Sequence, residues 1–166
     1  MPTNQELLEL ATQAMQELER KGLSVVTAES CTAGMLATVL SEVPGAAERL
    51  HGGFVTYTKE NKTAALGVAH DLLAKKGAVS REVAVAMAEG ALRRSPAQVA
   101  VAITGVAGPE PDEDGNPIGF VCIAVARHGH ASFHAERSYG DLGRDEVRAC
   151  AMADALQFLQ AIAQRD

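Results

Sequence analysis

A chain of 166 residues can bury one sizeable core but is too short for two ordinary domains, so a single domain over 1–166 is expected. A formal charge of −6 argues against wholesale binding to nucleic acid or to an anionic membrane, since either needs a basic surface, though a local basic pocket is still allowed. Cys31, Cys122 and Cys150 are odd in number, far apart and without a C-x-x-C pair, and no apolar run reaches the roughly 18 residues of a membrane span. A disulfide framework, a zinc site, a signal peptide and a transmembrane span are therefore not expected, and a cytoplasmic location fits best.

Thr3 and Glu6 have the spacing of a capping box, and Leu7, Leu10, Ala11, Ala14, Met15 and Leu18 form one apolar stripe that stops at Gly22, which predicts a first helix. Leu23 to Met35 then changes character midway. Val25 and Val26 are β-branched and read as a strand, whereas Ser30, Cys31, Thr32, Ala33 and Gly34 are small and precede Met35, Leu36, Val39 and Leu40 at helical spacing. A strand, a tight turn and a helix ending before Pro44 follow, with the turn where open α/β sheets bind ligands. Ser30 there is either a nucleophile, part of an anion-binding turn or, like Thr32, simply the cap of the helix.

Phe54 to Tyr57 forms the next β-rich run, after a flexible Gly52-Gly53 pair, and Thr58 can cap a helix holding Asn61, Lys62, Ala65 and Leu66. Asp71 to Lys76 reads as a short helix closed by Gly77, and Ser80 caps a longer one over Arg81–Arg94 that Pro96 ends. Gln98 to Thr104 is apolar throughout, as in a central strand covered on both faces. The Gly-, Pro- and acid-rich segment 105–117 reads as an irregular, mobile loop, and its D-x-D spacing does not meet the calcium-loop pattern. Phe120–Arg127 and Ala131–Ser138 flank a hairpin tip. His128, His130 and His134, on or beside that tip, lack a carboxylate or thiolate at ligand spacing. Arg144 to about Ala163 is the last helix. The sum is an α/β fold whose mixed sheet includes an antiparallel hairpin.

Three stretches share the form of a strand end followed by small or polar residues: Ala28-Glu29-Ser30-Cys31-Thr32-Ala33-Gly34, Phe54-Val55-Thr56-Tyr57 followed by Lys62, and Thr104-Gly105-Val106-Ala107-Gly108-Pro109. Together, over essentially the whole chain, they resemble the CinA C-terminal domain family, whose stand-alone members are nicotinamide-nucleotide amidases. The resemblance implies a three-layer α/β/α sandwich and a hydrolase that turns nicotinamide mononucleotide into nicotinate mononucleotide and ammonia in pyridine-nucleotide salvage. It also implies Ser30 as nucleophile, assisted by Tyr57 and Lys62. Lys59 stands where the family usually has asparagine, which puts a second amine nearby.

The chemistry is coherent on its own terms. Amide hydrolysis needs a nucleophile, a base and oxyanion donors. Ser30 and Lys62 can fill the first two roles, and Tyr57 can relay a proton or orient the lysine. Cys31 is a rival nucleophile. The amides near Cys31 and Thr32, or around Gly105 and Val106, are candidate donors, and the substrate-binding set is Cys31, Thr32, Gly34, Thr104, Gly105, Val106, Ala107 and Gly108. Arg144 and Arg148, four apart at the start of the last helix, suit a phosphate, and an ordinary surface ion-pair set is the competing reading. A base at residue 62 must titrate far below a free lysine. Burial among Val55, Ala65 and Leu66, the positive end of the helix and the charge of Lys59 push that way, while Glu29 and Glu60 oppose it if they come close. No metal or cofactor is expected, the partner is a small nucleotide, and a homo-oligomer is allowed. The alternative function is a catalytically silent nucleotide- or partner-binding module of the same fold.

Overall fold

The computed structural model describes residues 1–166. The chain runs α1 (Asn4–Lys21), β1 (Val25–Glu29), α2 (Met35–Ser41), a 3₁₀ turn (Ala46–Glu48), β2 (Leu50–Val55), α3 (Lys59–Leu66) and α4 (His70–Lys76). It continues through α5 (Arg81–Arg93), β3 (Val99–Gly105), β4 (Phe120–Arg127), β5 (Phe133–Ser138) and α6 (Arg144–Gln164). The capping box closes as its spacing predicts, with Thr3 and Glu6 each taking the other's backbone N–H, and Gly22 ends α1 in the left-handed region that its missing Cβ allows.

One open sheet has the order β2-β1-β3-β4-β5, with β2, β1 and β3 parallel and β4 and β5 antiparallel to their neighbours. Alternation along the strands divides the core. Val25, Val99, Val101, Ile103, Ile123 and Val125 pack under α1, α2 and α6, whereas Val26, Ala28, Ala100, Ala102, Ala124 and Ala126 face α3, α4 and α5. Alanines on the second face let α5 settle close to the sheet. At Gly90 a Cβ would collide with the main chain of Leu66, so that residue has no room for a side chain.

Apart from shifts of one or two residues at the ends of α4, α5, β3 and β5, two features differ from the sequence reading. The second strand spans Leu50–Val55 and not Phe54–Tyr57: the Gly52-Gly53 pair lies inside it, paired with Val26 and Thr27 of β1, and Thr56 and Tyr57 lie beyond its end. Gly53 is required there because a Cβ would meet Thr27 Oγ1. Ser30 and Thr32 do not cap α2, whose N-cap is Gly34 and whose first turn gets no side-chain bond from that residue.

The crossover from β1 to β2 carries α2 on one face of the sheet, and the crossover from β2 to β3 carries α3, α4 and α5 on the other. From the carboxyl end of β1 the chain moves to β2 and from that of β3 to β4, on opposite sides in the sheet, which is where such sheets open a crevice. Ser30 follows β1 directly, and Thr104 and Gly105 end β3.

Candidate active site

Residues 30–34 form a tight turn. Ser30 N–H donates to Ile103 O across the sheet at 2.9 Å, Ala33 N–H to Ser30 O at 3.0 Å and Met35 N–H to Thr32 O at 2.9 Å. Ala33, at φ 47°, is the one residue other than glycine with positive φ, and Gly34 follows at 93°. The N–H groups of Cys31 and Thr32 donate to no acceptor within the protein, whereas Val106 N–H is taken by Phe120 O at 2.9 Å. Val106 N–H is thereby taken, and the turn amides of Cys31 and Thr32 are left open.

Lys62 reaches the turn from α3. Thr58 caps that helix by accepting Asn61 N–H at 3.0 Å, and its register turns Lys62 inward, where it is fully buried. Its Nζ lies 3.0 Å from Ser30 Oγ and donates to the main-chain oxygen of Thr56 at 2.8 Å. Burial, helped by the charge of Lys59 and opposed by Cys31, pulls its pKa down from 10.5 to about 8. Val55, expected to help bury this amine, is instead half exposed, and Glu60 faces solvent. The Glu29 carboxylate is occupied by donors from its own strand and from α2. Beside Ser30, burial raises the Cys31 thiol to about 11, which keeps it protonated at neutral pH.

A cavity of about 210 Å³ opens in front of Ser30 and Cys31, walled by Tyr57, Thr104 to Gly108, the acidic loop and Arg144. Lys62 stands behind Ser30, off the wall. Tyr57 is exposed, and its hydroxyl accepts from Arg144 Nη2 at 2.8 Å while Arg144 Nη1 donates to Gly108 O at 2.7 Å. Arg144 thus joins the second and third motifs. Thr104 Oγ1 donates to Ala78 O at 2.8 Å.

Several expected residues lie elsewhere. Arg148 pairs with Asp145 at 2.8 Å and does not line the cavity. Thr32 and Gly34 shape the turn without reaching the wall. Lys59 binds Asp114 at 2.9 Å and Glu113 at 3.0 Å, and these carboxylates raise its pKa, which favours the charged ammonium. Those contacts also fasten the segment expected to be mobile: Asp114 accepts Ala78 N–H at 3.1 Å, and Asp112 accepts both amide groups of Asn116 at 2.7 and 2.8 Å. The main-chain oxygen of Thr56, a direct partner of Lys62, was not among the expected groups, since every residue carries such an oxygen. A larger hollow of about 420 Å³ beside α1 is lined by Thr12, Glu19, Val43, Glu48 and Arg49 among others and holds no serine, cysteine, lysine or histidine.

Residues 7–163 match the family model described as the CinA C-terminal domain. The chain belongs to this family. It is 43% identical over 158 residues to the nicotinamide-nucleotide amidohydrolase PncC of Escherichia coli K12, covering 95% of this chain and 94% of that one. A putative competence-damage inducible protein of Symbiobacterium thermophilum is 44% identical over 150 residues, but the match spans only 35% of its length. Among solved structures, competence/damage inducible protein CihA from Agrobacterium tumefaciens superposes with a TM-score of 0.92 at 42% identity, covering 99% of this chain and 98% of that one. A CinA superfamily protein from Escherichia coli gives 0.89 at 36% identity, covering 96% and 90%. The three-layer fold is thus that of the CinA domains. No helix is long and apolar enough to cross a membrane.

Proposed function

We propose that this CinA domain hydrolyses the carboxamide of nicotinamide mononucleotide to nicotinate mononucleotide and ammonia, a step of pyridine-nucleotide salvage, with Ser30 as nucleophile and Lys62 as base. The observation that carries the reading is the buried pair, Ser30 Oγ and Lys62 Nζ, 3.0 Å apart, with Ser30 on the cavity wall and Lys62 behind it. The name of the E. coli relative, similar over nearly its whole length, supports the substrate.

With a pKa near 8, about a tenth of Lys62 is neutral at pH 7, far more than of a free lysine. In the neutral amine one N–H stays on Thr56 O and the lone pair faces the Ser30 hydroxyl. As Ser30 Oγ attacks the amide carbon, its proton passes to Lys62, and the oxyanion is met by the free N–H group of Cys31 on the cavity wall. The new ammonium then protonates the departing nitrogen, the C–N bond breaks and ammonia leaves a nicotinoyl ester on Ser30. Water, losing a proton to Lys62, hydrolyses the ester and restores the serine.

A cavity of about 210 Å³ is small beside the roughly 300 to 1,000 Å³ of most ligand sites. It suits the pyridine carboxamide and leaves ribose and phosphate toward the rim. There Arg144 has spent one N–H on Gly108 and one on Tyr57, so three of its five remain for a phosphate. Because Arg144 donates to the Tyr57 oxygen, the phenol's own proton is free to point at substrate.

The direct test is ammonia release from nicotinamide mononucleotide by the wild type, Ser30→Ala and Cys31→Ala. Release by the first and third but not the second is expected. A reversed pattern makes the thiol the nucleophile, and binding without release by the wild type leaves a silent nucleotide-binding module.

A further inference from the structure

Glu29 ends β1 and is fully buried next to the nucleophile, yet it pairs with no cation. A carboxylate withdrawn from water is costly unless donors surround it. Four do. Oε1 accepts Thr32 Oγ1 at 2.6 Å and Leu36 N–H at 2.8 Å, and Oε2 accepts Thr27 Oγ1 at 3.1 Å and Ala37 N–H at 3.1 Å.

These partners place the carboxylate around the Ser30 turn. Helix α2 has Gly34 as its N-cap, which has no side chain to satisfy the first-turn N–H groups, and Glu29 supplies that acceptor from seven and eight residues earlier. Residues 30–35 are enclosed in a ring closed by the Glu29 side chain, with Thr32 fastened in its middle. The same residue governs the other half of the pair, since Glu29 O accepts Thr56 N–H at 2.8 Å and Thr56 O holds Lys62 Nζ at 2.8 Å. Its side chain fixes where Ser30 stands and its main chain fixes the strap that aims Lys62. Gly53 keeps the arrangement open, because a Cβ there would drive into Thr27 Oγ1.

We propose that Glu29 is a positioning residue for the hydrolysis, holding Ser30 Oγ and Lys62 Nζ at reacting distance through the turn and through Thr56. The proposal rests on the Ser30–Lys62 reading of the site.

Glu29→Gln tests it at almost constant volume. Each carboxylate oxygen faces one hydroxyl and one backbone N–H, so the new amide NH₂ must point at a backbone donor in either orientation. Misplacement of a nucleophile by an ångström costs on the order of 100-fold in rate. Expected for Glu29→Gln is a fall of about 100-fold in kcat per folded molecule, with KM for nicotinamide mononucleotide within about threefold. Thr32→Val, which removes one donor, should lose roughly tenfold in kcat, and Thr32→Ser should return to within about threefold of wild type. If Glu29→Gln does not fold, the Thr32 pair decides. Near-native kcat per folded molecule in Thr32→Val, or in a folded Glu29→Gln, overturns the proposal. A Ser30→Ala control separates the two ideas: if it is inactive while the Glu29 and Thr32 variants turn over normally, only the positioning role fails, and if it is fully active the dyad reading fails first.

Discussion

Lys59 and Lys62 sit three residues apart on α3 and have opposite surroundings. Lys62 faces the sheet, fully buried, with two oxygens as partners and no carboxylate, and its pKa is drawn down to about 8. Lys59 faces the rim, between Glu113 and Asp114, and its pKa is raised. The same side chain is a buried amine that gives up its proton more readily in one place and a charged tether in the other. What separates them is the register of one helix and the company each amine keeps, not the residue type.

The sharpest break of that contrast is at the shared target. Ser30→Ala should lower turnover by roughly 10⁴-fold or more, because nothing else on the cavity wall pairs with Lys62. A Ser30→Ala protein active at more than a hundredth of the native rate would show that the buried amine activates another group. Lys62→Met comes next, with an expected loss of about 10³-fold. Its pH profile separates base from bystander: only neutral Lys62 accepts a proton, so native kcat/KM should rise with pH through about 8 and level off above it, and the variant should lose this limb. Arg144→Ala should weaken binding of the phosphorylated substrate by about 1.5 to 3 kcal/mol and that of the nucleoside much less. Arg148→Ala should do less than Arg144→Ala, its guanidinium being spent on an exposed Asp145. Isothermal titration with both ligands would reverse this ranking if Arg148 were the anchor. Lys59→Met should have the smallest effect, retaining most activity while the pH limb moves up by less than about one unit as a like charge disappears. A collapse of activity there would make the two lysines functionally equivalent.

Much of this was legible in the sequence because the relevant forces are local. The Thr3 box, the Thr58 and Ser80 caps and the apolar run of β3 are short-range patterns, and each marks an element that exists. Ser30 stood out for its position after a strand, whereas Lys62, an ordinary helix residue by itself, was picked out by the resemblance to the CinA domains. What failed to show was long-range. Lys59 finds Asp114 at a separation of 55 residues, so its neutralisation cannot be read from its neighbours. The Gly52-Gly53 pair looked like a flexible lead into the strand because glycine is permissive, yet at the sheet edge it is strand, with the Thr27 hydroxyl leaving no room for a side chain at Gly53. Arg144 and Arg148 share a helix face in any projection, but only Arg144 meets Tyr57 and the Gly108 carbonyl, which arrive from two other elements.

The burial of Lys62 also makes the fold less stable than it could be. An amine that titrates near 8 when folded and near 10.5 when unfolded binds more protons in the unfolded chain between those values, so unfolding is favoured by about 3 kcal/mol at neutral pH. That penalty is fully present below pH 8 and is relieved as pH climbs toward 10.5, the reverse of the usual alkaline loss from lysine ion pairs. A protein with Lys62→Met should therefore melt at a higher temperature than the native one at pH 7, and the gap should close above pH 10. Thermal resistance alone would disfavour this lysine, a cost to the fold that the proposed hydrolysis would account for.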